Sequence, residues 1–422
     1  MGLAGSKVLT SCVDFINTLS PCLVRAGWNA DLANLLSLLL GVVIVATVPL
    51  LTVILLIWIE RKFAARIQDR IGPNRVGPYG LLQSLADALK MLTKEDITPS
   101  GADRILFNLA PIITFATVVL IWAIVPFTPL HIGADLSIGI LYFVAVGSIG
   151  AVKVMIGGWS SNNKYALLGA FRTIALIVSY EVPMILALLV PVLMAGSMGM
   201  QDLTRAQGGM WFIVMSPLAA IIFFVANLAE TGRSPFDLLE AESELIAGYN
   251  IEYSGFKFGM FMAGEFMHVF TVAVLTAVLF LGGWWGPFVD QVPALGFIWL
   301  GLKTAVVYLF MLLIRNTVPR FRIDQVMNIN WKFMVPLSIV LILLQSFLLR
   351  LIDALGLRPA PELANDLLAN LPQTLVLLAG NLVLGAIFMH LLQRHGRTLR
   401  EADEALAVVK GEAAPAGGMA EA

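Results

Sequence analysis

Long apolar runs separated by short polar interruptions make up most of the chain, and their length carries the first inference. A bilayer core takes roughly 20 apolar residues per helix. Nine stretches reach that length, at approximately 35–58, 105–126, 136–157, 166–193, 211–229, 257–285, 297–315, 333–354 and 372–392. The ninth is the most interrupted, holding Asn381 and two glycines. Between the first two runs the pattern changes. Gly72-Pro73 and Gly77-Pro78 break any helix, and then Leu81, Leu82, Leu85, Leu89 and Leu92 recur at helical spacing opposite Gln83, Asp87, Lys90 and Lys94. This predicts an amphipathic helix that lies in the membrane interface or packs against neighbouring helix ends. The expected fold is all-α: a polytopic transmembrane helical bundle of about nine spans plus that interfacial helix.

The runs divide the chain into an N-terminal segment (1–34), a membrane helical domain (35–392) and a C-terminal tail (393–422) whose Ala, Gly and Pro ending predicts disorder. Polar connections at 59–104, 158–165, 230–256 and 316–332 fall on one side together with the tail. Nineteen lysines and arginines lie there, counting Lys257 and Arg315 at the adjoining span ends, against Lys7, Arg25, Arg205 and Arg358 on the other. The positive-inside rule then makes the N-terminus extracytoplasmic and the long connections and C-terminus cytoplasmic. The first 34 residues hold no compact apolar core followed by a small-residue cleavage site, so no removable signal is predicted.

Composition excludes several classes. With 59% hydrophobic and 13% charged residues and a mean hydropathy of +0.86 over 422 residues, this is no ordinary soluble protein. A net charge of -1 without a basic, aromatic-interleaved array points away from nucleic acid. Cys12 and Cys22 match no zinc or iron–sulfur spacing, and no dinucleotide, phosphate-loop or HExxH motif occurs. The chain is therefore expected to bind no metal or cofactor alone.

Charge is concentrated where an apolar chain has least structural need of it. From Glu230 to Glu252 six carboxylates (Glu230, Asp237, Glu240, Glu242, Glu244, Glu252) face one arginine, Arg233. If 237–245 is helical, Asp237, Glu240 and Glu244 share a face where like charges repel, and such crowding favours the protonated forms, which suits groups that pass protons. A solvated acidic loop is the plainer alternative. Inside the spans, ionisable residues cost at least ~2.5 kcal/mol each. Glu181 lies mid-span in Ser179-Tyr180-Glu181-Val182-Pro183, where Pro183 removes an amide and frees the Ser179 carbonyl, opening a place for water. Glu265 stands within the sixth span with His268 at i+3, and Glu230 ends the fifth. Together they read as rungs of a proton path, or else as partners of Lys153, Arg172 or Lys303 that lock helices together. A basic cluster from Arg315 through Arg320 and Arg322 lies on the same side as the acidic stretch and is placed to counter it.

These residues also carry a resemblance. Glu60-Arg61-Lys62 through Gly72-Pro73-Asn74, Trp159-Ser160 to Gly169, Ser179-Tyr180-Glu181, Asn227-Leu228-Ala229-Glu230, Pro235-Phe236-Asp237 with Glu240 to Leu245, Glu252-Tyr253-Ser254 and Pro319 to Arg322 with Trp331-Lys332 occur in order over residues 60–336. In this the chain resembles the subunit 1 (H) family of proton-translocating NADH:quinone oxidoreductase, the membrane subunit that bridges the two arms of respiratory complex I. The resemblance implies a bacterial inner-membrane, non-redox subunit of a translocase. It would meet peripheral-arm quinone-site and iron–sulfur subunits, small membrane subunits and antiporter-like subunits, with quinone as substrate and FMN and iron–sulfur clusters in the partners. It further implies that Glu60, Arg61, Arg70, Phe236, Asp237, Arg320 and Arg322 line or gate a quinone tunnel. Glu181, Glu230 and Glu265, with Glu240, Glu242 and Glu244, would form the acidic proton path. The chain departs from the family pattern at Gly232, Leu239 and Phe266 and in its ninth span. Two rival readings are the equivalent subunit of a membrane-bound hydrogenase or ferredoxin-dependent complex, and a free-standing proton or cation transporter.

Overall fold

The computed structural model describes residues 29–237, 248–359 and 365–410, together with Val24 and Leu363. Cys12, Cys22, Leu239, Glu240, Glu242 and Glu244 lie outside the described residues. Among the described residues the fold is helical, with no sheet beyond an isolated bridge between Pro126 and Ile132.

Among the described residues, eight helices are long and apolar enough to cross a membrane. They are α1 (Ala30–Ile67), α3 (Arg104–Trp122), α4 (Gly139–Ser160), α5 (Lys164–Ala195), α9 (Gly255–Phe280), α10 (Leu295–Thr317), the joined pair α11 (Ile323–Ile329) and α12 (Val335–Ala354), and α13 (Leu367–Lys410). The shorter helices are α2 (Gln83–Thr93), α6 (Met200–Arg205), α7 (Phe212–Met215) and α8 (Pro217–Glu230). The run expected as a single fifth span is thus divided into α7 and α8. Pro217 stands in the first turn of α8, where its missing N–H costs nothing, but it cannot continue a helix arriving from Met215.

Two boundaries differ from expectation. The connection expected from residue 59 begins instead at Gln68, because Glu60 to Ile67 include good helix formers and α1 runs on through them to Ile67, before Gly72-Pro73. The tail expected to be disordered from 393 is helical to Lys410, since Arg400 to Lys410 is rich in Ala, Leu and Glu; residues 411–422 lie outside the description.

At the centre stands α9. From Val269 to Phe280 every residue but Phe270 is buried, the pattern of a helix enclosed on all sides. It contacts α1, α2, α3, α8 and α10, while α5 packs between α4, α8 and α12. The amphipathic α2 lies against α1 and α9, yet Leu81, Leu82, Leu85, Leu89 and Leu92 remain exposed. Pro183 breaks the ladder of α5 as expected, but the carbonyl of Ser179 is not left to water. A π-turn at Asn330–Met334 brings the fully buried Asn330 across, and its Nδ2 donates to that carbonyl at 2.5 Å. Tyr180 donates to the Val326 carbonyl at 3.0 Å beside it.

Candidate functional site

Three groups of charged side chains form, and the first is the most buried. Helices α3, α4, α8 and α9 line a cavity of about 30 Å³, with Lys153, Glu230, Thr231, Tyr249, Glu265 and His268 among its walls. That is room for about two waters, at 10–15 Å³ for the first. Lys153 and Glu230 are each only 9% exposed. Lys153 therefore turns into the bundle beside the carboxylates instead of reaching for the interface. Tyr249 donates to Glu265 Oε1 at 3.1 Å, and His268 Nε2 stands 3.9 Å from Glu230 Oε1. Glu230 Oε2 is buried without a hydrogen-bond partner among the described residues, so a water in the cavity is the donor that geometry admits. Gly147 on α4 lines the same cavity. A Cβ there would stand 3.8 Å from Glu230 Oε1, so the carboxylate lies close against the α4 backbone.

Glu181 is brought next to this cavity but not into it. On α5 it meets the hydroxyl of Ser148, the residue after Gly147, and Ser148 also contacts the Val144 carbonyl at 3.0 Å. Lys303, a sequence candidate for an intramembrane partner, serves elsewhere. Its ammonium donates to the carbonyls of Gly283 and Trp285 at 3.0 and 2.6 Å and lies over the Trp211 ring.

A second cavity, about 60 Å³, adjoins the first and shares Glu265 and Thr231 with it. Gly232, Arg233, Ser234, Asp237, Met262, Phe266 and Arg315 complete its wall. Here the acidic and basic segments are knitted together. Glu60 on α1 takes Arg233 Nη1 at 2.7 Å and also contacts Arg315, while Arg320 meets Asp237 at 2.7 Å. Phe236 is buried between Tyr180 and Phe321, with ring centroids 5.4 and 5.8 Å away. Phe321 N–H donates to the Pro235 carbonyl at 3.0 Å. The Arg233 guanidinium covers the Phe266 ring at 4.7 Å.

The third group is open. Arg61, one residue beyond Glu60, turns outward and meets Asp87 of α2 at 2.5 Å, with Gln83 and Lys90 on the same carboxylate. Burial pushes the Asp87 carboxyl up, but the hydrogen bonds from Arg61 and Gln83 and the charges of Arg61 and Lys90 outweigh it and hold the group below its ordinary value. A groove of about 800 Å³ beside it is lined by Trp58, Lys62, Arg66, Arg70, Tyr79 and Leu81 among others. Arg61 and Arg70 border a second opening with Gly72 and Pro73.

Of the thirteen residues singled out by sequence, Glu230 and Glu265 share one cavity. Asp237 joins Glu265 in the next, whose wall is tied to Glu60, Arg320 and, behind it, Phe236. Arg61 and Arg70 stand apart at the open groove. Arg322 is exposed, its N–H donating to Gln325 at the start of α11. Glu240, Glu242 and Glu244 lie outside the described residues. Sequence reasoning gave no role to Tyr249 or Asn330. Lys153 carries a signal, a lysine inside an apolar run, but the sequence suggests for it only a partner that locks helices together.

Comparison with known proteins bears on these groups together. A profile of the NADH dehydrogenase family matches residues 40–346, which include every residue of the three. The H subunit of NADH-quinone oxidoreductase from Dehalococcoides mccartyi is 46% identical over 310 residues, covering 74% of this chain and 86% of that protein. The first of the numbered H subunits of the same enzyme in Geobacter metallireducens is 46% identical over 306 residues (70% and 91%), and the H subunit of a Geobacillus species 47% over 283 residues (67% and 84%).

Proposed function

The chain belongs to the NADH dehydrogenase family, and from that premise we propose that it is a membrane subunit of a bacterial NADH:quinone oxidoreductase, forming part of the quinone tunnel and coupling quinone reduction to proton translocation. A quinone becomes a quinol by taking two electrons and two protons. The electrons come from an iron–sulfur cluster of a peripheral partner, itself supplied through a flavin. This chain supplies no redox group. Its part is to hold the quinone and to move protons, as a non-redox subunit with its N-terminus outside and its C-terminus in the cytoplasm.

The observation that carries this reading is the pair of adjoining cavities that share Glu265 and Thr231. One reaches the Glu60, Arg233 and Arg315 cluster at the cytoplasmic face; the other reaches Glu230, Lys153 and His268, with Glu181 one helix further. Titratable groups joined through small hydrated spaces form a path for protons, and a charge appearing at one end shifts the proton affinity of the next. The open groove by Trp58, Tyr79 and Leu81 gives a long apolar tail a way in, and Arg61, Arg70, Asp237 and Arg320 then stand toward the headgroup.

Glu265→Gln and Glu181→Gln test this in membranes holding equal amounts of the assembled complex. Each is expected to lower both quinone reductase activity and proton translocation about tenfold or more. Normal coupled turnover in both variants removes the path. A complex that pairs with hydrogenase or ferredoxin partners in place of flavin-dependent NADH subunits changes the electron donor but not the proton route.

A further inference from the structure

The last helix begins at Leu367, beyond the 40–346 region that the family profile matches. Its inward face is polar. Asn370, Thr374, Leu377 and Asn381, spaced i, i+4, i+7 and i+11, are all buried, whereas Leu368, Leu371, Leu375, Leu382 and Val383 are exposed. In lipid this is the stable arrangement, since apolar side chains meet the solvent and polar ones must find partners inside.

Asn381 finds its partners at the break in the fifth span. Between α7 and α8, Ser216 adopts φ −139° and ψ 70°, and Pro217 offers no N–H, so the last carbonyls of α7 have no helical partner. Asn381 Nδ2 lies 3.4 Å from the Met215 carbonyl, 3.3 Å from Gln345 Oε1 on α12 and 2.9 Å from the Leu377 carbonyl. Its two hydrogens are shared among these three oxygens. Ser216 Oγ closes the ring by donating to Asn381 Oδ1 at 3.1 Å. Ser216, Gln345 and Asn381 are all 1% exposed or less. The adjoining residue fits the same contact: a Cβ on Gly380 would stand 2.4 Å from Leu348 Cδ1, so a larger residue there would have to push the Leu348 side chain aside.

We infer that α13 is a clasp on the fifth span, with Asn381 a positioning residue that fills the break and holds α8 in register. That helix is 14 residues long, about 20 Å, and Glu230 is its last residue. The link from Asn381 to proton transfer rests on the function proposed above; the clasp itself does not.

Two measurements on the intact complex in membranes test the parts separately. In a Cys12→Ser, Cys22→Ser background, Ser216→Cys with Asn381→Cys is expected to form an intramolecular disulfide under copper–phenanthroline, read by mass spectrometry of the linked peptides; no cross-link overturns the clasp. Asn381→Leu is then expected to keep quinone reductase activity while lowering protons moved per NADH and shifting the pH profile of coupled turnover. Asn381→Asp, which keeps an acceptor for Ser216, should restore part of the coupling, and Ser216→Ala should repeat the effect more weakly even where Asn381→Leu lowers complex content. Glu230→Gln separates the two ideas. If it leaves pumping normal, the proton path fails and the cross-link still stands. If it abolishes pumping while Asn381→Leu and Ser216→Ala match the wild type in both coupling and pH profile, the positioning role is overturned.

Discussion

Glu60 and Arg61 are neighbours on α1 and hold opposite environments. Glu60 is 8% exposed and meets Arg233 inside the bundle and the partly exposed Arg315 at its edge, whereas the Arg61 side chain is 46% exposed and meets Asp87 across an open groove. One step along a helix turns a side chain by about 100°, enough here to pass from a water-poor interior to an aqueous rim. The same kind of ion pair then has different consequences. Inside, each charge depends on its partner because water cannot replace it; at the rim, water competes and the pair contributes little.

Breaking the inner member should have the largest effect. Glu60→Ala removes the carboxylate that Arg233 and Arg315 share, and removing one partner of a buried pair costs about 3–5 kcal/mol. The expected result is a marked drop in the thermal unfolding midpoint of the detergent-solubilised complex, or failure to assemble. Unchanged stability would mean that the inner cluster is hydrated like the outer one. An uncharged buried contact gives the intermediate case. Asn330→Leu strips the Ser179 carbonyl of its donor and should cost about 1–3 kcal/mol in the same measurement. Combined with Pro183→Ala, which restores an amide to α5, the loss should shrink.

The smallest effect belongs to the rim. A double-mutant cycle on Arg61 and Asp87 should return about 0–1 kcal/mol, and more than that would erase the contrast. Its pH dependence has a definite sign. The Asp87 carboxyl is held below its ordinary value, so the coupling is fully present above the unfolded value of about 3.9 and is lost as pH falls through the lower folded one. Between pH 7 and 5 the coupling should stay flat; a decline there would show that Asp87 is not held down by Arg61.

Hydropathy made the spans legible because a bilayer demands long apolar runs whatever the sequence detail. It could not show where a run is divided. Ser216-Pro217 sits inside an apolar stretch, and the contacts that Asn381 of α13 makes with Ser216 and the Met215 carbonyl at the break come from far along the chain. The site was legible as a collection of misplaced charges, Glu181, Glu230 and Glu265 above all, but not as an arrangement. That Lys153 turns inward, that Tyr249 reaches Glu265, and that Asn330 takes the carbonyl freed by Pro183 are contacts between elements far apart in the chain. Residue spacing within one helix holds no record of them. Glu60 was read as part of a loop because charge follows the first apolar run at once, whereas helix-forming residues carry α1 on for two more turns.

The bond between Ser216 and Asn381 spans 165 residues, and this separation sets an order of events at the ribosome. At roughly 5–20 residues per second, the fifth span waits about ten to thirty seconds after its own synthesis before the helix that completes it emerges. Throughout that interval the nascent bundle is unfinished on one side, and whatever insertase or chaperone shelters it must leave that side open for a late arrival.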